Sequence, residues 1–386
     1  MSDTHAQTVA FVRDTMLPEK EPPLTEKGAV KWLRENLFSG WLNIGLTVVS
    51  VCVILVALSH VIPWVFGGVW NATSLTECRE IAGDAHVACW GVIADRWSQL
   101  MFGFYPETYA RPVLAFVVLL TSILPVLFSE MPRKLLWYSA ASPFLIYFLI
   151  WGGTIWGPIF VAAGFGVALG AFILGTRFVN ALVGVIAAIV LPVLYWLLLA
   201  GPLTAGFSAV APIGIAFVES SDMGGFMLSI IIGVAGIVLS LPLGILLALG
   251  RQSDLFILNK SSVFVIEVIR GVPLIVWLFT ASLLLNYFLP PGTNFDLTLR
   301  VIIMVTLFAS AYIAEVVRGG LAALPKGQYE AADALGLDYW KSMRLIILPQ
   351  ALKISIPGIV NTFIGLFKDT TLVVFIGLLD PIGLTN

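Results

Sequence analysis

The sequence predicts an all-α integral membrane protein, on two observations. Of its 386 residues 59% are hydrophobic and only 11% charged, against about 25% charged in an ordinary soluble domain. The apolar residues also gather into nine runs of the length a bilayer-crossing helix needs, about 20 residues. A net charge of −2 without any basic run gives no argument for nucleic acid.

Residues 1–40 form a polar lead holding Glu19, Glu21, Pro22, Pro23, Lys27, Lys31, Arg34 and Glu35, with one short amphipathic helix over 30–37. They contain no apolar h-region, so no cleavable signal peptide is visible and the first apolar run, 42–66, stays as a span. Cys52 inside it reads as a small buried residue. The loop 67–110 carries Trp70, Trp90, Trp97, Phe102, Phe104, Tyr105 and Tyr109, which suit a cap at the lipid headgroups. It also carries Cys78 and Cys89, which lack the CxxC spacing of metal or redox sites. A disulfide is favoured there if the loop faces an oxidising compartment, with two free thiols as the alternative.

Spans two to five occupy 111–128, 135–151, 158–174 and 178–199. Gly164, Gly166 and Gly170 in the fourth do not have dinucleotide-loop spacing and read as small residues that let helices approach in lipid. The segment 201–225, with Glu219 and Asp222, is an external or interfacial loop. Spans six to nine are 226–249, 263–289, 297–317 and 352–379, with a Pro290-Pro291-Gly292-Thr293-Asn294 turn before the eighth. Residues 380–386 are too few to cross anything.

With the N-terminus inside, sixteen Lys and Arg fall in inside segments and four (Arg79, Arg96, Arg111, Arg300) outside. The positive-inside rule therefore puts the N-terminus and the loop between spans eight and nine in the cytoplasm, and the cysteine loop outside.

That loop is unusual. Gly327 to Gly336 is a run of good helix formers ended by glycine, and Asp338 is placed to cap a second short helix, 339–345. A structured polar pair between two spans reads as a docking element rather than a connector. Glu330-Ala331-Ala332, Gly336 four residues on, then Ile346 and Leu348-Pro349 resemble the EAA loop of bacterial ABC-importer permease subunits at all seven signature positions. The flanks, Glu315-Val316-Val317-Arg318-Gly319-Gly320 and Lys326-Gly327-Gln328-Tyr329-Glu330, resemble the polar or general L-amino-acid branch.

The resemblance implies a type I ABC-importer permease core at 226–386, with its coupling loop at 324–350. Before it lie a cytoplasmic tail (1–40), a membrane extension of about five additional helices (41–200) with its external loop 67–110, and the loop 201–225. The family core has five helices, so the final one is missing here and the chain is expected to be a fragment or truncated product. The resemblance further implies a bacterial inner-membrane permease for amino acids, not an enzyme. Its partners would be a second homologous permease, an ABC ATPase dimer and a periplasmic amino-acid-binding protein. No cofactor would bind this chain, with ATP and magnesium on the ATPase. Tyr329, Glu330, Ala331, Ala332, Leu335 and Gly336 would contact that ATPase. A secondary, ion-coupled amino-acid transporter is the alternative, but it leaves the loop spacing unexplained.

The residues themselves offer no Walker A cradle, and His5, His60 and His86 do not cluster into a metal site. Two i,i+3 pairs, Glu267 with Arg270 and Glu315 with Arg318, either neutralise their own helix ends or close the inner mouth and anchor the loop. Lys368 and Asp369 fall about 24 Å into the ninth span, where charge needs a partner or a wet cavity. They form a structural pair or, with Asn361, Thr362 and Thr370, part of a substrate pathway. Thr280, Ser282, Asn286, Thr306 and Ser310 are weaker candidates, because hydroxyls in spans often bond their own backbone.

Overall fold

The computed structural model describes residues 28–83, 86–106, 109–284 and 296–385. The chain divides into two compact units, Met1–Asp95 and Arg96–Asn386.

In the first unit, α1 (Gly28–Asn36) covers the expected amphipathic helix and α2 (Trp41–Phe66) the first span. No residue of α2 is buried, because the described residues of this unit hold no second long helix for it to pack on. Cys52 is accordingly exposed, which corrects the buried placement expected for it. Beyond α2 the aromatic loop folds into α3 (Leu75–Ala82) and α4 (Trp90–Asp95). Ser74 caps α3 while Glu77 Oε2 accepts from Thr73 N at 2.9 Å and Thr73 Oγ1 at 2.8 Å. Those hydrogen bonds from Thr73 hold the Glu77 carboxyl below the usual range. Cys78 and Cys89 are joined as a disulfide, and Trp90 stacks on Trp70 while its indole donates to Val65 O at 2.8 Å.

The second unit starts with α5 (Trp97–Phe102), α6 (Ala110–Leu127) and α7 (Leu136–Trp151). A two-residue strand β1 (Gly153–Thr154), α8 (Trp156–Phe178), α9 (Ala181–Leu198) and α10 (Ala200–Val210) follow. Strand β2 (Gly214–Ile215) pairs antiparallel with β1, Gly153 opposite Ile215. Helices α8 and α9 pack along one another, with Gly164 against the Trp196 ring. Gly166 and Gly170 meet nothing, since two and six residues on a helix turn them off that face.

The core follows: α11 (Gly225–Gln252), α12 (Phe256–Arg270), α13 (Leu274–Phe279) with a π turn Thr280–Leu284, and α14 (Leu297–Ala322). Then come α15 (Lys326–Ala334) and α16 (Tyr339–Ser342), a π turn Met343–Ile347, and α17 (Leu348–Asp369). Among the described residues eight helices are long and apolar enough to cross a membrane, nine if one bent pair counts as a span. Helix α14 is the centre, packing on α11, α12, α13 and α17. Gly236 and Gly244 of α11 face Val305 and Ile313 of α14, small against large.

Two expected spans differ from straight helices. Over 263–289, α12 and α13 meet at 99° around Gly271–Pro273. Pro273 has no N–H to give and pushes Val272 out of the helical region. Helix α12 crosses the end of α11 instead of running beside it. Asn259 donates to Arg251 O, Ser262 sits against Gly250, and Glu267 again reaches Arg251. Those contacts span about 12 Å of α12 yet only one turn of α11. Asn286 and the Pro290–Asn294 turn lie outside the described residues.

The expected ninth span, 352–379, is α-helical only to Asp369 and continues as a 3-10 stretch Thr370–Ile376. Thr370 and Thr371 hydroxyls take the carbonyls of Phe367 (2.8 Å) and Lys368 (3.0 Å), and the β-branched Val373-Val374 that follow are poor helix formers.

Candidate coupling surface and charge network

At one end of the core, here the coupling end, α15 and α16 stand outside the apolar helices. Gly336, at φ +67°, closes α15, and the Asp338 carboxylate caps α16 by accepting from Lys341 N at 2.9 Å. That N–H, ahead of the Lys341 ammonium at 3.2 Å, holds the Asp338 carboxyl below its usual range.

The candidate coupling residues divide by face. Ala332 is fully buried, and Tyr329 is half-buried with its hydroxyl donating to Leu321 O at 3.4 Å. Burial pushes the Tyr329 phenol upward. Glu330, Ala331, Leu335 and Gly336 point outward; Leu335 is 72% exposed, and Tyr339 and Trp340 continue the exposed surface. Glu330 makes no ion pair among the described residues. Behind this face Tyr329, Leu324, Met343 and Ile347 join one apolar cluster with Val317 and Ile313 of α14, Ala248 of α11 and Ile266 of α12. Gln350 Nε2 donates to Gln328 Oε1 at 3.0 Å and ties α15 to the foot of α17.

Two turns up α14 from Leu321 lies a charge network. Arg251 Nη1 bridges Glu315 at 2.7 Å and Glu267 at 2.9 Å. Glu315 also meets Arg318 at 3.0 Å and Arg270 at 3.8 Å, and the Arg270 guanidinium lies 5.3 Å from the Tyr312 ring centre. The expected Glu315–Arg318 pair therefore forms, whereas Glu267 and Arg270 do not pair with each other. Each reaches a different helix, so the network ties the ends of α11, α12 and α14 together. Arg251 is the residue that sequence reasoning passed over. Its partners lie 16 and 64 residues away, beyond any helical spacing; its place just past an apolar run was the only signal.

The remaining candidates lie on α17 and beyond. Leu348 to Lys368 is 20 residues, about 30 Å of helix, so Lys368 and Asp369 sit at the end of α17 away from the coupling loop. Phe367 packs at Gly233, eight residues or about 12 Å from the start of α11, which sets their depth in the half of the core opposite the coupling end. Lys368 is exposed and forms no ion pair among the described residues, with Asp369 or any other. Asn361, seven residues back, shares its exposed face. Thr362, Thr370, Thr280, Ser282 and Ser310 all return their hydroxyls to their own backbone. The buried Thr306 hydroxyl has no hydrogen-bond partner among the described residues.

Residues 240–385 match the family described as "Binding-protein-dependent transport system inner membrane component". The whole chain aligns at 55% identity with 89% of the glutamate/glutamine/aspartate/asparagine transport system permease protein BztC of Rhodobacter capsulatus. At 40% identity, 91% of the chain aligns with 80% of the inner membrane amino-acid ABC transporter permease protein YhdY of Escherichia coli. A crystal structure of an amino acid ABC transporter with histidines is 32% identical over 40% of this chain and 71% of its own, with a TM-score of 0.36.

Proposed function

The chain belongs to the binding-protein-dependent transport system inner membrane component family, as an amino-acid ABC transporter permease, and from that premise we propose how it works. The coupling end faces the cytoplasm, as does the N-terminus, in keeping with the sixteen-to-four distribution of Lys and Arg. There the exposed face of Glu330, Ala331, Leu335 and Gly336 seats in a separate ATPase dimer, which binds and hydrolyses ATP with magnesium. A second homologous permease completes the membrane pathway, and a periplasmic binding protein delivers the amino acid. Polar amino acids, acidic ones and their amides, are the substrate class, by analogy with the relative from Rhodobacter capsulatus.

ATP closure draws α15 inward, and the alternating-access cycle follows from where that push goes. Tyr329 and Ala332 hand it to the apolar cluster around Leu321 and Ile347, which is shared with α11, α12 and α14. The network of Arg251, Glu267, Arg270, Glu315 and Arg318 is the cytoplasmic gate, made of ion pairs that open and re-form. Lys368, with Asn361, Thr362, Asp369 and Thr370 near it on α17, lines the pathway; an exposed ammonium at that depth needs water or an anionic partner, and a substrate carboxylate supplies one.

The observation that carries this reading is the helix pair whose one face is buried in the core and whose other is bare. Co-purification of the chain with its ATPase, and uptake of a panel of amino acids by the reconstituted complex, tests it. An ATPase rate that the binding protein stimulates is expected; uptake driven by an ion gradient without any ATPase would overturn it.

A further inference from the structure

We propose that α5, α6 and α7, which precede the core, form a clamp on the outer end of α11, so that the transport cycle moves the coupling end of the core while the outer end stays closed on these helices. The proposal rests on the alternating-access reading given above.

Three layers of contact hold that outer end. The first is backbone on backbone. After α5 the chain crosses the start of α11 at Gly103, Gly224 and Gly225, with φ of +71° at Gly103 and +60° at Gly225. A Cβ on Gly103 would run into Gly224, and one on Gly225 into Leu100 O, so glycine is required at the crossing. Gly224 N donates to Phe102 O at 3.3 Å, and Gly225 N to Leu379 O at 2.8 Å. The start of the first core helix thus bonds both the extension and the segment that follows α17.

The second layer ties down the strand of chain entering α11. Arg111 donates from Nε to Leu149 O (3.0 Å) and from Nη1 to Ala216 O (2.9 Å), and its guanidinium lies against the Tyr105 ring. Tyr105 in turn donates to Ile150 O at 2.8 Å. The Trp151 indole donates to Ser220 Oγ at 2.8 Å, and Val218 N to Trp151 O at 2.8 Å. The third layer is apolar: Ala115 of α6 and Ile150 of α7 share one buried cluster with Val218, Met223 and Met227.

The two ends of α11 are therefore held by different chemistry. At the coupling end α11 shares an apolar cluster through Ala248, but the ties across the helix ends themselves are ion pairs between partly exposed side chains, which separate at low cost because water takes over each charge. Separating the outer end would strip buried backbone groups of partners and open an apolar cluster, with nothing to replace either. Motion therefore concentrates where the bonds are exchangeable.

The test links α5 to α11 covalently in the working transporter. Met101→Cys with Phe226→Cys, in a Cys52→Ser background that retains the native disulfide, places two thiols across the crossing. Met101 C lies 3.0 Å from where a Cβ on Gly225 would be. The complex with its ATPase, second permease and binding protein is reconstituted, treated with a short periodate-cleavable bismaleimide, and assayed for ATP-driven uptake. The clamp predicts efficient cross-linking with no loss of uptake. Uptake abolished by the linker and restored by periodate shows that the outer end must part, and overturns the clamp while leaving the importer reading intact. A pair that resists cross-linking overturns the contact itself. Absence of ATP-driven uptake before cross-linking sinks the alternating-access reading, and the clamp with it.

Discussion

Glu315→Gln is the sharpest perturbation of the proposed gate. The Glu315 side chain is 17% exposed and its carboxylate meets Arg251, Arg318 and Arg270. Neutralising it leaves Arg251 with Glu267 alone, and Arg318 and Arg270 without an ion pair among the described residues. Removing one partner of a fully buried pair costs about 3–5 kcal/mol, and of an exposed pair about 0–1 kcal/mol. Glu315 lies between those limits, so about 2 kcal/mol is expected, a shift of roughly 30-fold between closed and open gate. Glu267 provides the control: its side chain is 55% exposed and, among the described residues, forms an ion pair with Arg251 alone, so Glu267→Gln should cost about 0.5 kcal/mol, roughly twofold. The assay is amino acid taken up per ATP hydrolysed in proteoliposomes, with and without binding protein. Glu315→Gln should raise ATP hydrolysis in the absence of substrate and depress uptake per ATP, with Glu267→Gln close to the unaltered protein. Equal effects of the two substitutions, or an unchanged uptake ratio in Glu315→Gln, would refute the gate.

Four further outcomes follow from the same geometry. Leu335→Asp with Glu330→Ala, on the bare face of α15, should abolish co-purification with the ATPase while circular dichroism shows the same helix content; retained binding would place the ATPase elsewhere. Lys368→Met removes a charge with no ion pair among the described residues, whose cost at a helix centre in lipid is about 2.5–3.5 kcal/mol, so thermal stability should hold or rise while uptake falls; normal uptake would remove Lys368 from the pathway. Cys78→Ser opens a short disulfide loop and should destabilise the cap by about 2–3 kcal/mol, and labelling of unreduced membranes should modify Cys52 but neither Cys78 nor Cys89. Asp338 has a depressed carboxyl, so its contribution to the coupling loop is complete above the ordinary carboxylate range and disappears as pH falls through the lowered value. Asp338→Asn, which still caps, should flatten that acid limb of a melting-temperature profile, and a profile unaffected by the change would dismiss the cap as its source.

What the sequence made legible, and what it did not, follows from the range of the interactions involved. Spans one to five were readable because a run of apolar residues declares itself locally, and the helix pair at 326–342 because glycine and Asp338 mark its ends within a few residues. The break at Gly271–Pro273 had a local sign in Pro273, but apolar residues continue on both sides and hydropathy alone joins them into one span. The early end of α17 was hidden the same way, since Thr370–Ile376 is as apolar as a helix needs but is β-branched and carries hydroxyls that compete for its carbonyls. Glu315 and Arg318 paired as spacing says they should. Glu267 and Arg270 did not, because a carboxylate three residues from an arginine is still free to choose a better-placed partner from another helix. Arg251 was that partner, and only the fold brings it there.

The break between α12 and α13 gives this displaced pairing its mechanical meaning. Ending at this break across the end of α11, α12 presents Glu267 to Arg251 and Arg270 to Glu315, so one short helix bridges two long ones. From Leu321, where Tyr329 of α15 is bonded, to Glu315 is six residues, about 9 Å of a helix with half of its residues buried. A helical rod of that length does not absorb a push by bending. In the proposed cycle a displacement of α15 would therefore reach the ion pairs nearly undiminished, and the ion pairs, being the weakest joints along the path, would take it up.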